Sequence, residues 1–102
     1  MYTQEAIAEL IRKFVTLISD EITVNEVYLF GSYATGNMHQ YSDIDLAIVS
    51  DDFEGIRFSD RKRLNKYLLQ TSIDLEIHPF RSEDFTPDML FVEEILRTGK
   101  KM

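Results

Sequence analysis

The sequence predicts a small α/β domain in which a few strands form a sheet covered by helices. Three observations predict it. Near the N-terminus apolar residues recur at spacings of three and four, the period of an amphipathic helix. In three short stretches they instead run unbroken or alternate strictly, as strands do. The resulting order, helix, strand, strand, helix, strand, helix, supplies helices enough to cover a sheet of this size.

Ile7, Leu10, Ile11, Phe14, Leu17 and Ile18 carry the helical spacing and mark roughly residues 3–19 as the first helix. Residues 27–30, Val-Tyr-Leu-Phe, read as a buried strand that stops at Gly31-Ser32, with Gly36-Asn37 as a second turn signal. Residues 43–50, Asp-Ile-Asp-Leu-Ala-Ile-Val-Ser, are the clearest strand. Period two sends Asp43, Asp45, Ala47 and Val49 to one face and Ile44, Leu46 and Ile48 to the other. After an acidic loop at Asp51, Asp52 and Glu54, Ser59 is the expected N-cap of a helix that carries Leu64, Tyr67 and Leu68 and ends near Thr71. Residues 73–78 alternate, with Ile73, Leu75 and Ile77 on one face and Asp74, Glu76 and His78 on the other, so a third strand is expected, closed by Pro79. Pro87 fits the first turn of a last helix, with Met89, Val92, Ile95 and Leu96 as its buried stripe and Gly99 as its C-terminal cap.

At 102 residues, 44% of them hydrophobic, the chain suffices for one core, so a single domain over 1–102 is expected and any second domain would be another polypeptide. Glu5, Glu9, Arg12 and Lys13 break the N-terminal region, so neither a signal peptide nor a membrane span fits and a cytoplasmic protein is expected. With no cysteine, metal chemistry has to use oxygen ligands rather than thiolates. A net charge of −7, from 18 acidic against 11 basic residues, repels a phosphate backbone and disfavours direct nucleic-acid binding.

Chemistry concentrates in Gly31-Ser32 and, ten residues further on, Asp43-Ile44-Asp45. A glycine just after a buried strand lets the backbone turn sharply and lets a bulky anion approach. If Ser32 opens a short helix through Tyr33 and Ala34, free N–H groups, the helix dipole and the Ser32 hydroxyl all favour a bound phosphate. Two carboxylates side by side on a strand repel unless a cation lies between them. Magnesium fits, because it binds through one or two aspartates together with a substrate's phosphates. Asp74 or Glu76 offers a third carboxylate if the third strand lies beside the second, and three carboxylates can hold two metal ions for an in-line phosphoryl displacement.

These spans, Leu29-Phe30-Gly31-Ser32-Tyr33-Ala34-Thr35-Gly36 and Ser42-Asp43-Ile44-Asp45-Leu46-Ala47-Ile48-Val49, resemble the signature blocks of the minimal nucleotidyltransferases of the polymerase-beta-like superfamily. The resemblance covers most of the chain. It implies a nucleotidyltransferase fold with a mixed sheet, Mg2+ bound by Asp43, Asp45 and a third acid, and the triphosphate, ATP, held at Gly31 and Ser32. The family places its third acid as Asp74 is placed, yet some members carry a Glu before a His-Pro-Phe run, as Glu76 stands here; Glu76 is favoured and Asp74 kept. The implied activity is transfer of AMP from ATP to a hydroxyl acceptor. Small stand-alone domains of this kind are often paired with a helical HEPN protein, the nucleotidyltransferase being the antitoxin of a toxin–antitoxin pair.

Each feature also has a plainer reading. Gly31-Ser32 alone is an ordinary strand-ending turn, and Asp43 alone a turn residue; only the combination with Asp45 argues for a metal site. Arg57, Arg61, Lys62, Arg63 and Lys66 read first as a solvated helix side and second as a contact for triphosphate or an acidic partner. Ser32, His39 and His78 have no spacing that builds a serine-histidine-aspartate triad. Tyr33 and Tyr41, near the phosphate turn, are candidates to flank a base. Two rival functions stay open: an independent enzyme that modifies a small molecule or an RNA end, and a binding antitoxin that performs no catalysis.

Overall fold

The computed structural model describes residues 2–102. Helix α1 spans Gln4–Ile18; Thr3 caps it by accepting a hydrogen bond from the Ala6 N–H at 3.0 Å, and it buries Ile7, Ile11, Phe14 and Ile18. Strand β1 is Glu26–Phe30, a short helix α2 is Ser32–Thr35, and β2 is Ile44–Val49. Helix α3, Arg57–Leu69, leads to β3, Leu75–Phe80, and helix α4, Leu90–Thr98, to a two-residue β4, Lys100–Lys101. The sheet order is β3-β2-β1-β4. β2 pairs antiparallel with β1 and parallel with β3, and β4 pairs antiparallel with β1, so the sheet is mixed. A parallel pair needs a long crossover, and α3 provides it.

The two sheet faces divide the core. Ile44, Leu46, Ile48, Leu75 and Ile77 pack against α1 and against Leu64 of α3. On the other face Ala47 and Val49 meet Phe30, Phe85 and the Val92 and Ile95 of α4. Followed backwards from Val49, this second face passes from buried Val49 and Ala47 to half-buried Asp45. The apolar cover therefore ends where the carboxylates begin.

Several boundaries differ from those expected. β3 starts at Leu75 and runs through Pro79 to Phe80, while Ile73 is 80% exposed and Asp74 lies in the turn before the strand. β3 is an edge strand, where a proline costs little because one side of the backbone needs no partner. Ser59 sits inside α3, which begins two residues earlier. Its start is tied by buried Asp60, whose carboxylate accepts the N–H groups of Glu54 at 2.9 Å and Gly55 at 3.0 Å. Pro87 belongs to a turn ahead of α4, and Met89 is that helix's half-exposed N-cap, so the buried stripe reduces to Val92 and Ile95. Gly99 does end α4, in extended conformation, and a side chain there would strike the carbonyls of Ile95 and Leu29; its smallness lets the chain fold down onto β1 as β4.

Candidate active site

Gly31 follows β1 directly, with φ 74° and ψ −153°, a conformation essentially restricted to glycine. A Cβ at this position would overlap the carboxylate of Asp45, which stands opposite Phe30 in the β1–β2 ladder. The turn and the carboxylate therefore touch. Ser32 opens α2 as expected, and the Ala34 and Thr35 N–H groups bond to the Gly31 carbonyl at 3.0 and 3.1 Å. Ser32 and Tyr33 stand ahead of the first such bond, so their N–H groups are the ones a helix start leaves for an outside acceptor. Among the described residues the Ser32 hydroxyl has no hydrogen-bond partner. Tyr33 is buried and its hydroxyl accepts the Tyr2 N–H at 3.1 Å, so it anchors α2 and does not flank a base. Tyr41 is 82% exposed.

Asp43 lies one residue before β2, exposed, with no ion pair or hydrogen bond to its side chain among the described residues. Asp45 is the register partner of Glu76 on β3. Alternation places Asp45, Glu76 and His78 on the same face. Glu76 is engaged by Arg61, Oε1 to Nη2 at 3.0 Å, and His78 is bridged on both sides, Nδ1 to Arg57 Nη2 at 3.0 Å and Nε2 to Asp45 Oδ1 at 3.3 Å. Asp74 is drawn elsewhere. It accepts a 2.5 Å hydrogen bond from the Tyr2 hydroxyl, which holds that hydroxyl's pKa above its usual value. Tyr2 packs on the α1 side of the sheet, so Asp74 does not share the face of Glu76 as strict alternation predicts.

The two arginines reach β3 by matched spacing. Four residues of helix rise about 6 Å and two residues of strand about 6.7 Å. Arg57 and Arg61, one helical turn apart, thus meet His78 and Glu76, two strand residues apart, with α3 running opposite to β3. The basic segment is accordingly more than a solvated side. Nothing in the sequence alone pairs these residues, although period two already put His78 beside Glu76.

Among the described residues no three His, Asp or Glu side chains are grouped to hold a metal ion by themselves. Asp43 and Asp45 nevertheless fit magnesium, which takes one or two carboxylates and completes its shell with phosphate oxygens and water. The trio expected for two ions is not gathered among the described residues, and Glu76 is paired with Arg61. A cavity of about 340 Å³ opens on the β3 side, lined by His78, Phe80, Phe91, Arg57 and Arg81 among others. A larger recess of about 630 Å³ along the outside of α3 shares Arg57 with this cavity and is also lined by Arg61, but no carboxylate lines it.

A glycine turn feeding a short helix beside acidic residues on a mixed sheet is the arrangement that the motif resemblance implies for a nucleotidyltransferase. Residues 9–99 match the nucleotidyltransferase domain family. A Methanocaldococcus jannaschii protein named as a candidate protein adenylyltransferase is 33% identical over 100 residues, covering 90% of this chain and all of that one. The protein adenylyltransferase MntA of Shewanella oneidensis is 44% identical over 41 residues, 39% of this chain and 30% of its own. A toxin–antitoxin crystallised with AMP-PNP superposes with a TM-score of 0.63 at 26% identity, over 88% of this chain and 69% of that one. The chain belongs to the nucleotidyltransferase domain family and is a nucleotidyltransferase, as the motif resemblance implied. No helix among the described residues is long and apolar enough to cross a membrane.

Proposed function

We propose that this single domain transfers AMP from ATP to a hydroxyl of a partner protein in a magnesium-dependent reaction, and that the partner is a HEPN-type toxin that the transfer inactivates. The observation that carries the reading is the contact between the Gly31 turn and the Asp45 carboxylate, which would set a phosphate held by the turn beside a cation held by the carboxylate. The adenylyltransferase relatives and the toxin–antitoxin neighbour support the acceptor class.

Gly31 and Ser32 would hold the phosphates and Asp43 and Asp45 the divalent cation, with Glu76 joining once Arg61 releases it. Bound there, the cation would neutralise phosphate charge and lower the acceptor hydroxyl's pKa. An in-line displacement puts the acceptor and the leaving pyrophosphate on opposite sides of the reacting phosphorus. Gly31 lies on the β1 side of Asp45 and the 340 Å³ cavity on the β3 side, so the acceptor would enter past His78 and Phe91. AMP on that hydroxyl adds bulk and negative charge, which would repel RNA phosphates from a nuclease site.

A second reading, neutralisation by contact alone, draws on the engagement of Glu76 by Arg61. Mass spectrometry of a HEPN-type partner co-expressed with the wild-type chain and with Asp43→Asn separates the two. Added AMP with wild type only is the expected result; an unmodified yet neutralised partner with both chains would replace transfer by binding. Transfer to a small molecule or an RNA end without any partner would instead favour the independent enzyme.

A further inference from the structure

We propose that His78 is a positioning residue that orients the Asp45 carboxylate toward the phosphate turn, with Arg57 selecting the imidazole tautomer that does so. The proposal rests on the reading of Asp45 as a ligand of the metal–nucleotide. A guanidinium has five N–H donors and no acceptor. Arg57 Nη2, 3.0 Å from His78 Nδ1, therefore requires Nδ1 to accept, and the ring proton resides on Nε2. Nε2 then donates to Asp45 Oδ1 at 3.3 Å.

The two carboxylate oxygens are thereby distinguished. Oδ1 turns toward β3 and His78, while Oδ2 is the atom that a Cβ on Gly31 would strike, on the side of the phosphate turn. A carboxylate free to rotate would populate several orientations; one fixed at Oδ1 offers Oδ2 without that entropy cost. The ring is itself held. Phe30 and Phe91 meet it edge-on, centroids 4.9 and 5.6 Å away, and its register partner across the ladder is Ala47, small enough for the imidazole to lean toward Asp45. Hydrogen bonds to a ligating carboxylate typically change metal affinity ten- to a hundredfold.

The test uses the full chain in two measurements. Nitrogen-15 spectra of labelled histidine, taken without nucleotide, should show His78 protonated on Nε2 and unprotonated on Nδ1, and Arg57→Gln should shift it to a tautomer mixture. Titration of Mg–ATP by calorimetry should then show about ten- to a hundredfold weaker binding for His78→Ala. His78→Gln, whose amide can still donate toward Oδ1, should regain most of it. His78→Phe, which preserves the packing against Phe30 and Phe91 but has no donor, should not. Melting curves of the Gln and Phe variants establish that both fold. Wild-type affinity in His78→Phe, or a proton on Nδ1 in the wild type, overturns the proposal. If Asp45→Asn itself binds Mg–ATP like wild type, the functional reading fails as well, whereas weak binding in Asp45→Asn beside normal binding in His78→Phe rejects the role of His78 alone.

Discussion

Gly31 and Asp45 meet across the β1–β2 pair so closely that no side chain fits between them: a Cβ on Gly31 would lie 3.2 Å from the Asp45 Cγ and closer still to Oδ2. Gly31→Ala therefore faces two costs. Its backbone, at φ 74°, is strained for alanine by about 1–3 kcal/mol, and its methyl displaces the carboxylate. The expected outcome is a melting temperature lower by about 4–8 °C for each kcal/mol lost, with Mg–ATP affinity down by about tenfold or more. A variant that melts early but binds Mg–ATP normally would show that Asp45 tolerates displacement.

Ser32 stands at the start of α2 with its hydroxyl unpaired among the described residues, so its removal breaks no contact of the fold. Ser32→Ala should leave thermal stability within about 0.5 kcal/mol and lower turnover by about a hundred- to a thousandfold, the range of a lost donor to a reacting oxyanion. The opposite pattern, lost stability with normal turnover, would make Ser32 structural.

Glu76 and Asp74 separate by their partners. Glu76 is in register with Asp45, whereas Asp74 is spent on Tyr2 at the foot of α1. Glu76→Gln should therefore lower transfer with saturating Mg–ATP, while Asp74→Asn should instead cost stability, about 1 kcal/mol. Since Arg61 occupies Glu76, Arg61→Gln should lower the magnesium concentration needed for half-maximal transfer. Loss of transfer in Asp74→Asn with normal Glu76→Gln would pass the third ligand to Asp74.

Glu21 joins the turn after α1 to α3, bonded to Arg63 at 2.9 Å, Lys66 at 3.2 Å and the Tyr67 hydroxyl at 3.2 Å. Burial by itself raises its pKa, but the hydrogen bonds from Lys66, Arg63 and Tyr67 together outweigh it and hold the carboxyl below its usual 4.5. A carboxyl whose folded pKa is depressed stabilises fully above the unfolded value and loses that contribution as pH falls through the folded one. Denaturant melts from pH 7 down to about pH 3 should show this acid loss in wild type. Glu21→Gln should be less stable at pH 7 by about 1 kcal/mol and lose less on acidification, the two curves converging below pH 4.5.

Much of this molecule could be read from local pattern. Helical spacing in α1, alternation in β2 and the glycine after β1 are properties of neighbouring residues, because the period of a hydrophobic face and the freedom of a glycine are decided within a few positions. The same locality placed Asp45 on a strand and Gly31-Ser32 at a strand end. Errors arose where a distant partner decided. Pro79 extends β3 because β3 lies at a sheet edge, and Lys100 and Lys101 form a strand only because β1 has an unpaired side to receive them.

What the sequence by itself determined is most of the elements, the buried faces of α1 and β2, and the identity of the two motifs that place the chain among nucleotidyltransferases. The tertiary structure alone decided which motif residues meet: that Gly31 abuts Asp45, that Glu76 rather than Asp74 lies level with it, and that Arg57 and Arg61 reach over from α3 to His78 and Glu76. The physical reason is that these contacts depend on strand order and register and on where a crossover helix lands. Those are set by how both sheet faces bury their apolar side chains at once, a property no single segment carries.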